Sequence, residues 1–305
     1  MTIDSASRKL IAEFSSRRTL RTGSLITTVF GDSIAPRGGT VWLGSLITAM
    51  SDFGIGERLV RTSVFRLVQD GWLQSTQIGR RSYYSLSDVG RERFAQATHK
   101  IYGEPASSWD EHWCLVMLVD VDAAGRDAVR KELSWLGFGA LASGVLAHPA
   151  PDMHELDASL RRLGVADEVI VMRGQTVRNE PGMRRLAQSS WNLDDIEQRY
   201  RNFVKRFRPL MAAYGKNSAV APKAAFLVRT LLIQEYRKVL LRDPQLPAVL
   251  LPANWHGAAA YQLCRNLYRA VYAAADRYLG EAMETADGPL PPPNKEYLQR
   301  FGGLE

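Results

Sequence analysis

From Ser24 onward, apolar residues recur at the spacing of helices. Leu25, Ile26 and Val29 predict a short first helix, and the turn Pro36-Arg37-Gly38-Gly39 separates it from a second, whose inner side carries Trp42, Leu43, Leu46, Ile47 and Met50. Phe53-Gly54 ends that helix. After Gly56, the residues Val60, Val64, Leu67 and Val68 keep helical spacing as far as Gly71, which suits the left-handed position that closes a helix. Two strand-like runs follow, Trp72 to Ile78 and Ser82 to Leu86, and Gly79-Arg80-Arg81 between them reads as a hairpin with a basic tip. Three helices and a hairpin predict a winged helix-turn-helix over residues 23–103. Residues 1–22, polar and rich in Ser and Arg with weak periodicity, read as an arm or a short helix.

Pro, Ser and Gly between Gly103 and Ser108 mark a linker. Beyond it, His112 to Val119 reads as a strand, Ala123 to Leu136 as an amphipathic helix, Gly139 to His148 as strand-like, Met153 to Leu163 as a helix and Glu168 to Met172 as a strand. That order predicts a βαββαβ, ferredoxin-like unit over residues 109–176. After Pro181-Gly182 the pattern is helical: Leu193, Ile196, Tyr200, Phe203, Phe207, Leu210 and Tyr214 form one apolar seam. Helices over about Ala224 to Leu241 and Ala258 to Leu279 flank a proline-punctuated loop, so residues 183–282 are expected to form a third, all-helical domain. Residues 283–305 read as an extended tail. The fold class expected is therefore α+β, multidomain.

Composition narrows the function. The chain has 305 residues and a formal net charge of +7, carried by 31 Arg and only 8 Lys, which favours planar recognition of phosphate or carboxylate. Two cysteines, Cys114 and Cys264, lie in apolar stretches away from the five histidines, which excludes a disulfide scaffold or a zinc module. The apolar run Leu115 to Val119 is far too short for a membrane span, and a cytoplasmic protein is expected. Nucleotide-binding and nucleophile-elbow motifs are absent from the sequence, so no enzyme is expected.

Charge is concentrated on the third helix and the hairpin. With Val60, Val64, Leu67 and Val68 buried, the opposite side of the helix carries Arg58, Thr62, Arg66 and Gln69, with Arg61 beside them. Five arginines and one acid lie between Arg58 and Arg81. Arginine offers two hydrogen bonds to guanine in the major groove, and threonine meets a thymine methyl or a phosphate, which makes Arg61, Thr62 and Arg66 the candidate base readers. Arg80 and Arg81 at the wing tip are candidates for the phosphate backbone or minor groove, with Tyr83 and Tyr84 placed to support them. A solvated basic helix beside an unrelated hairpin is the ordinary alternative. It leaves the agreement between charged face, turn glycines and wing tip unexplained.

These residues also carry a family resemblance. Gly31-Asp32-Ser33, Trp42-Leu43-Gly44-Ser45-Leu46, Gly56-Glu57-Arg58, Val60-Arg61-Thr62, Gly71-Trp72-Leu73 and Ile78-Gly79-Arg80-Arg81-Ser82 resemble the PaaX-type repressors of phenylacetic acid degradation operons. The likeness continues through Trp109-Asp110, Gly137-Phe138-Gly139, Phe207-Arg208-Pro209, Tyr236-Arg237, Asp243-Pro244 and Trp255, and is weakest over the first 20 residues and over Gly174 to Ser189. It implies a homodimeric repressor that binds double-stranded DNA and is released from its operator by an aryl-coenzyme A thioester, typically phenylacetyl-CoA, with no resident cofactor.

Such an effector needs cations for its phosphates and an apolar cleft for its acyl group. The expected helical domain offers Arg206, Arg208 and Arg237 for the first, with Arg229 near them, and Tyr236 and Trp255 for the second, with Trp191 and Tyr268; His256 adjoins Trp255. Helical arginines are ordinarily a solvated face and such aromatics ordinarily core. Two rival readings are a regulator answering to a protein partner and a metal-dependent nuclease. The latter rests on Asp120 and Asp122 at the end of the first central strand, where an Asp holds a metal in the CRISPR adaptation nuclease of this fold; both also suit a helix N-cap.

Overall fold

The computed structural model describes residues 3–16, 22–104, 109–176, 180–214 and 220–304. Arg17, Arg18, Arg21 and most of the expected linker lie outside them. The chain divides into two compact units, one of Met1–Glu104, Asn202–Lys238 and Ala258–Glu305, the other of Pro105–Arg201 and Val239–Gly257.

The first unit opens with helix α1 (Ile3–Ser15), the helical of the two forms expected for this polar segment. Ala6, Leu10 and Phe14, four residues apart, put a buried stripe on it. Helices α2 (Thr22–Val29), α3 (Leu43–Ser51) and α4 (Glu57–Gln69) follow, and α4 packs on both. Leu25, Ile26, Val29, Leu46, Val60 and Val64 are buried where they meet. Strands β1 (Thr40–Trp42), β2 (Leu73–Ile78) and β3 (Arg81–Leu86) form an antiparallel sheet in the order β1-β3-β2, and α5 (Asp88–Tyr102) leaves it with Ser87 as N-cap.

Residues 183–282 do not make one separate helical body, contrary to expectation. Parts of three long helices, α9 (Leu193–Tyr214), α10 (Pro222–Leu240) and α11 (Gly257–Ala282), belong to the first unit, as does the short ribbon of β8 (Glu284–Thr285) and β9 (Gly288–Pro289). A buried ionic network supplies the reason. Asp32, in the turn after α2, pairs with Arg229 of α10 at 2.9 Å and Arg300 at 3.1 Å, and accepts hydrogen bonds from Tyr102 at 2.7 Å and Tyr268 at 2.9 Å. Arg229 also reaches Asp276, which pairs with Arg37. Burial works to raise the Asp32 pKa, but Arg229, Arg300 and the two hydroxyls outweigh it and hold the carboxyl below its ordinary range. Residues 283–305 are correspondingly not an extended tail: Tyr297 on α12 (Lys295–Leu298), Phe301 and Leu304 are buried.

The second unit holds strands β4 (His112–Leu118), β5 (Gly139–Ala142), β6 (Val145–His148) and β7 (Val169–Gln175), with helices α6 (Ala123–Trp135) and α7 (Met153–Leu163) in the expected βαββαβ sequence. The antiparallel sheet runs β5-β6-β4-β7. Cys114, Val116 and Leu118 of β4 pack with Val129, Leu133, Leu156 and Leu160 from the two helices. Helix α8 (Glu180–Trp191) meets β5, and Trp191 donates to the Gly137 carbonyl at 2.7 Å.

Candidate nucleic-acid interface

Two local choices of the sequence hold the basic face in place. Gly71, at φ 71°, closes α4 and lets the Trp72 amide return to the Leu67 carbonyl at 2.9 Å, so that β2 starts directly after the helix. Gly79, at φ 59°, supplies the positive φ needed by the two-residue turn between the paired Ile78 and Arg81. Helix and hairpin tip are thus set by glycines at positions where a side chain would be strained.

Arg58, Arg61, Thr62 and Arg66 all lie exposed on α4, away from buried Val60, Ser63 and Val64. Their surroundings differ. Arg61 is drawn along its own helix to Glu57, at 2.7 Å, an i,i+4 pair that stays in solvent. Thr62 donates its hydroxyl proton to the Arg58 carbonyl at 2.9 Å, so the phosphate contact offered by the sequence would require that bond to break. Arg58 and Arg66 have no ion-pair partner among the described residues.

The two arginines of the hairpin tip are not equivalent. Arg80 is exposed at the tip, unpaired among the described residues. Arg81 bonds Glu284 of β8 at 3.0 Å and lies 4.2 Å above the Trp42 ring. Glu284 is itself fixed, its amide donating to Ser45 at 3.1 Å. Tyr83 is buried and Tyr84 half-buried in the sheet beneath. Sequence reading missed this clamp because Glu284 stands 203 residues away in the chain. It also passed over Leu59 and Phe65, exposed beside Thr62, although both fall outside the Val60/Val64/Leu67 stripe on a helical wheel.

The candidate effector residues fall in both units. In the first, Arg206 is held by Glu13 at 3.1 Å and Glu235 at 3.0 Å, over the Phe14 ring. Tyr236 is buried against Phe203, with ring centroids 5.5 Å apart. Arg237 donates to the carbonyl and hydroxyl of Ser24, both at 2.8 Å, and burial lowers its pKa. Arg229 and Tyr268 belong to the Asp32 network, and Arg208 alone of these is exposed. In the second unit, Trp255 packs edge-on to Tyr200, while His256 meets the Glu197 carboxylate through its amide at 2.8 Å and through Nδ1 at 2.6 Å. The Asp122 carboxylate caps α6, accepting from the Gly125 amide at 2.6 Å, which is the ordinary role considered for it.

Comparison with known proteins bears on what this surface meets. Three family descriptions match consecutive stretches: "PaaX-like protein" over residues 21–90, "PaaX protein central Cas2-like domain" over 106–186 and "PaaX-like protein C-terminal domain" over 191–281. The transcriptional repressor PaaX of Escherichia coli (strain K12) is 42% identical over 284 residues, spanning 92% of this chain and 90% of that protein. Among solved structures, an uncharacterized protein from Mycobacterium tuberculosis aligns with a TM-score of 0.51 at 25% identity, covering 77% of this chain and 89% of that one.

Proposed function

The chain belongs to the PaaX family, and from that premise we propose that it is a sequence-specific repressor of phenylacetate catabolism genes that binds duplex DNA through α4 and the β2–β3 hairpin as a winged helix-turn-helix. Its E. coli relative is a transcriptional repressor, and the protein is a regulator rather than an enzyme. The observation that carries the reading is the joint exposure, on one unit, of Arg58 and Arg66 along α4 and Arg80 at the hairpin tip, none ion-paired among the described residues. Guanidinium groups left in solvent suit guanine edges and phosphates.

Two such heads, related by a two-fold axis, would read the halves of an inverted repeat. The second unit offers a surface for the pairing. Its βαββαβ order and sheet arrangement fit a ferredoxin-like unit, whose helices cover one face of the sheet. On the other face, Ile170 opposite Met117 and Met172 opposite Leu115 form an apolar patch, with Ile170 and Met172 exposed. A second copy of the chain is the partner we assign to it.

Induction follows from differential binding. An aryl-CoA thioester, phenylacetyl-CoA on family grounds, must bind the DNA-free conformation a few kcal/mol more tightly than the DNA-bound one. Arg208, exposed on α9, is the candidate cation for its phosphates. A mobility shift with DNA from upstream of neighbouring catabolic genes tests the whole reading. Phenylacetyl-CoA is expected to release the DNA, while phenylacetate and free coenzyme A leave it bound. Release by none of the three would remove the metabolite and favour a protein partner.

A further inference from the structure

Helix α4 exposes apolar groups that phosphate contacts do not explain. Leu59, Thr62 and Phe65 stand at i, i+3 and i+6, a single oblique row on the side away from Val60 and Val64. Phe65 is 60% exposed and Leu59 50%, although a Phe or Leu gains by leaving water. Thr62, between them, has already given its hydroxyl proton to the Arg58 carbonyl, so it presents a methyl group without a free donor. Arg58 and Arg66 flank the row, and Arg80 stands at the tip of the adjoining hairpin.

The occupant of this face must therefore be apolar at its centre and anionic at its edge. Thymine in the DNA major groove meets both conditions, since its C5 methyl is the apolar group on a base edge and phosphates border the groove. Resting on the reading of α4 as the groove helix, we propose that the Leu59–Thr62–Phe65 row selects the operator by contact with thymine methyl groups, with Phe65 as its principal reader. Specificity then has two sources, arginine forks for guanine and an apolar row for thymine. Arg61, bound to Glu57, contributes less than its place in the sequence implies.

Deoxyuridine isolates the contact, because it removes the methyl and keeps the base pair. Duplexes bound by the full chain are selected from a random-sequence pool, and each thymine of the protected half-site is replaced in turn. At one or two positions the replacement should weaken binding about fourfold, the factor for burying one methyl-sized group. Phe65→Ala should abolish that sensitivity at its position and Leu59→Ala at a neighbouring one, while Arg66→Ala retains both. Both variants change exposed side chains, and an unchanged thermal unfolding midpoint verifies their fold. Selected half-sites without thymine, deoxyuridine neutral throughout, or sensitivity that survives both apolar variants would overturn the proposal while leaving α4 as the groove helix. Equal binding of selected and scrambled duplexes would overturn both.

Discussion

At the scale of single residues, the interior of the first unit turns on Asp32. Its carboxylate lies fully buried between two guanidiniums, so removing its charge takes from Arg300 its carboxylate partner and leaves Arg229 with Asp276 alone. Asp32→Asn should cost about 3–5 kcal/mol, the usual penalty for breaking one side of a buried ion pair, as read by urea unfolding. The pH dependence has the same origin. Because the folded-state pKa lies below the ordinary carboxyl value of 3.8, this contribution is complete above that value and is lost as the pH falls through the lower, folded one. Acid titration of the wild type should therefore show a loss of stability below about pH 4 that Asp32→Asn lacks. At the wing, Glu284 occupies the cation that phosphate would take. Arg80→Ala should lower the salt slope of DNA binding by about one unit, and Arg81→Ala by less. Glu284→Gln, by freeing Arg81, should strengthen binding to any duplex, measured by fluorescence anisotropy.

At the scale of elements, local signals in the sequence were faithful and distant ones were not. The α4 stripe, the closing Gly71, the wing glycine and the βαββαβ order were all legible, because each depends on residues a few positions apart. The exposure of Arg58, Arg61, Thr62 and Arg66 was legible for the same reason, since helical period alone separates them from Val60 and Val64. Arm and short helix stay undecided in the sequence over α1 because Ser and Arg mask the four-residue spacing of Ala6, Leu10 and Phe14. The prolines from Pro289 to Pro293 make the C-terminal segment read as a tail, yet Tyr297 and Phe301 are among the most deeply buried side chains. Phe301→Ala should therefore destabilise the protein by about 3–5 kcal/mol, the range for truncating a core phenylalanine, by the same urea assay. An extended, solvated tail would show almost no change. The effector candidates were chosen by residue type, which does not distinguish an arginine awaiting phosphate from Arg206, held by two glutamates.

At the scale of the whole molecule, helical periodicity established that α9, α10 and α11 exist but not what they pack against. Their partner is set by charges: buried Arg229 and Arg300 both meet the Asp32 carboxylate, and Arg229 also meets Asp276, so the C-terminal helices share a core with the N-terminal ones. The proposed dimer rests on the other unit. Ile170→Asp together with Met172→Asp would place carboxylates in the proposed dimer face, and sedimentation should then show a monomer with an intact circular dichroism spectrum. A dimer that survives both changes would move the interface elsewhere. Loss of the dimer should also lower operator affinity more than affinity for random DNA, because reading two half-sites together is what specificity requires.

The central claim is that α4 reads bases while the wing grips the backbone, and anisotropy titrations of two variants on two duplexes test it directly. On a selected duplex Arg66→Ala should lose about 1–3 kcal/mol, and on a scrambled duplex almost nothing, whereas Arg80→Ala should weaken both alike. If both variants lose affinity equally on both duplexes, or neither loses any, α4 is not the helix that reads DNA.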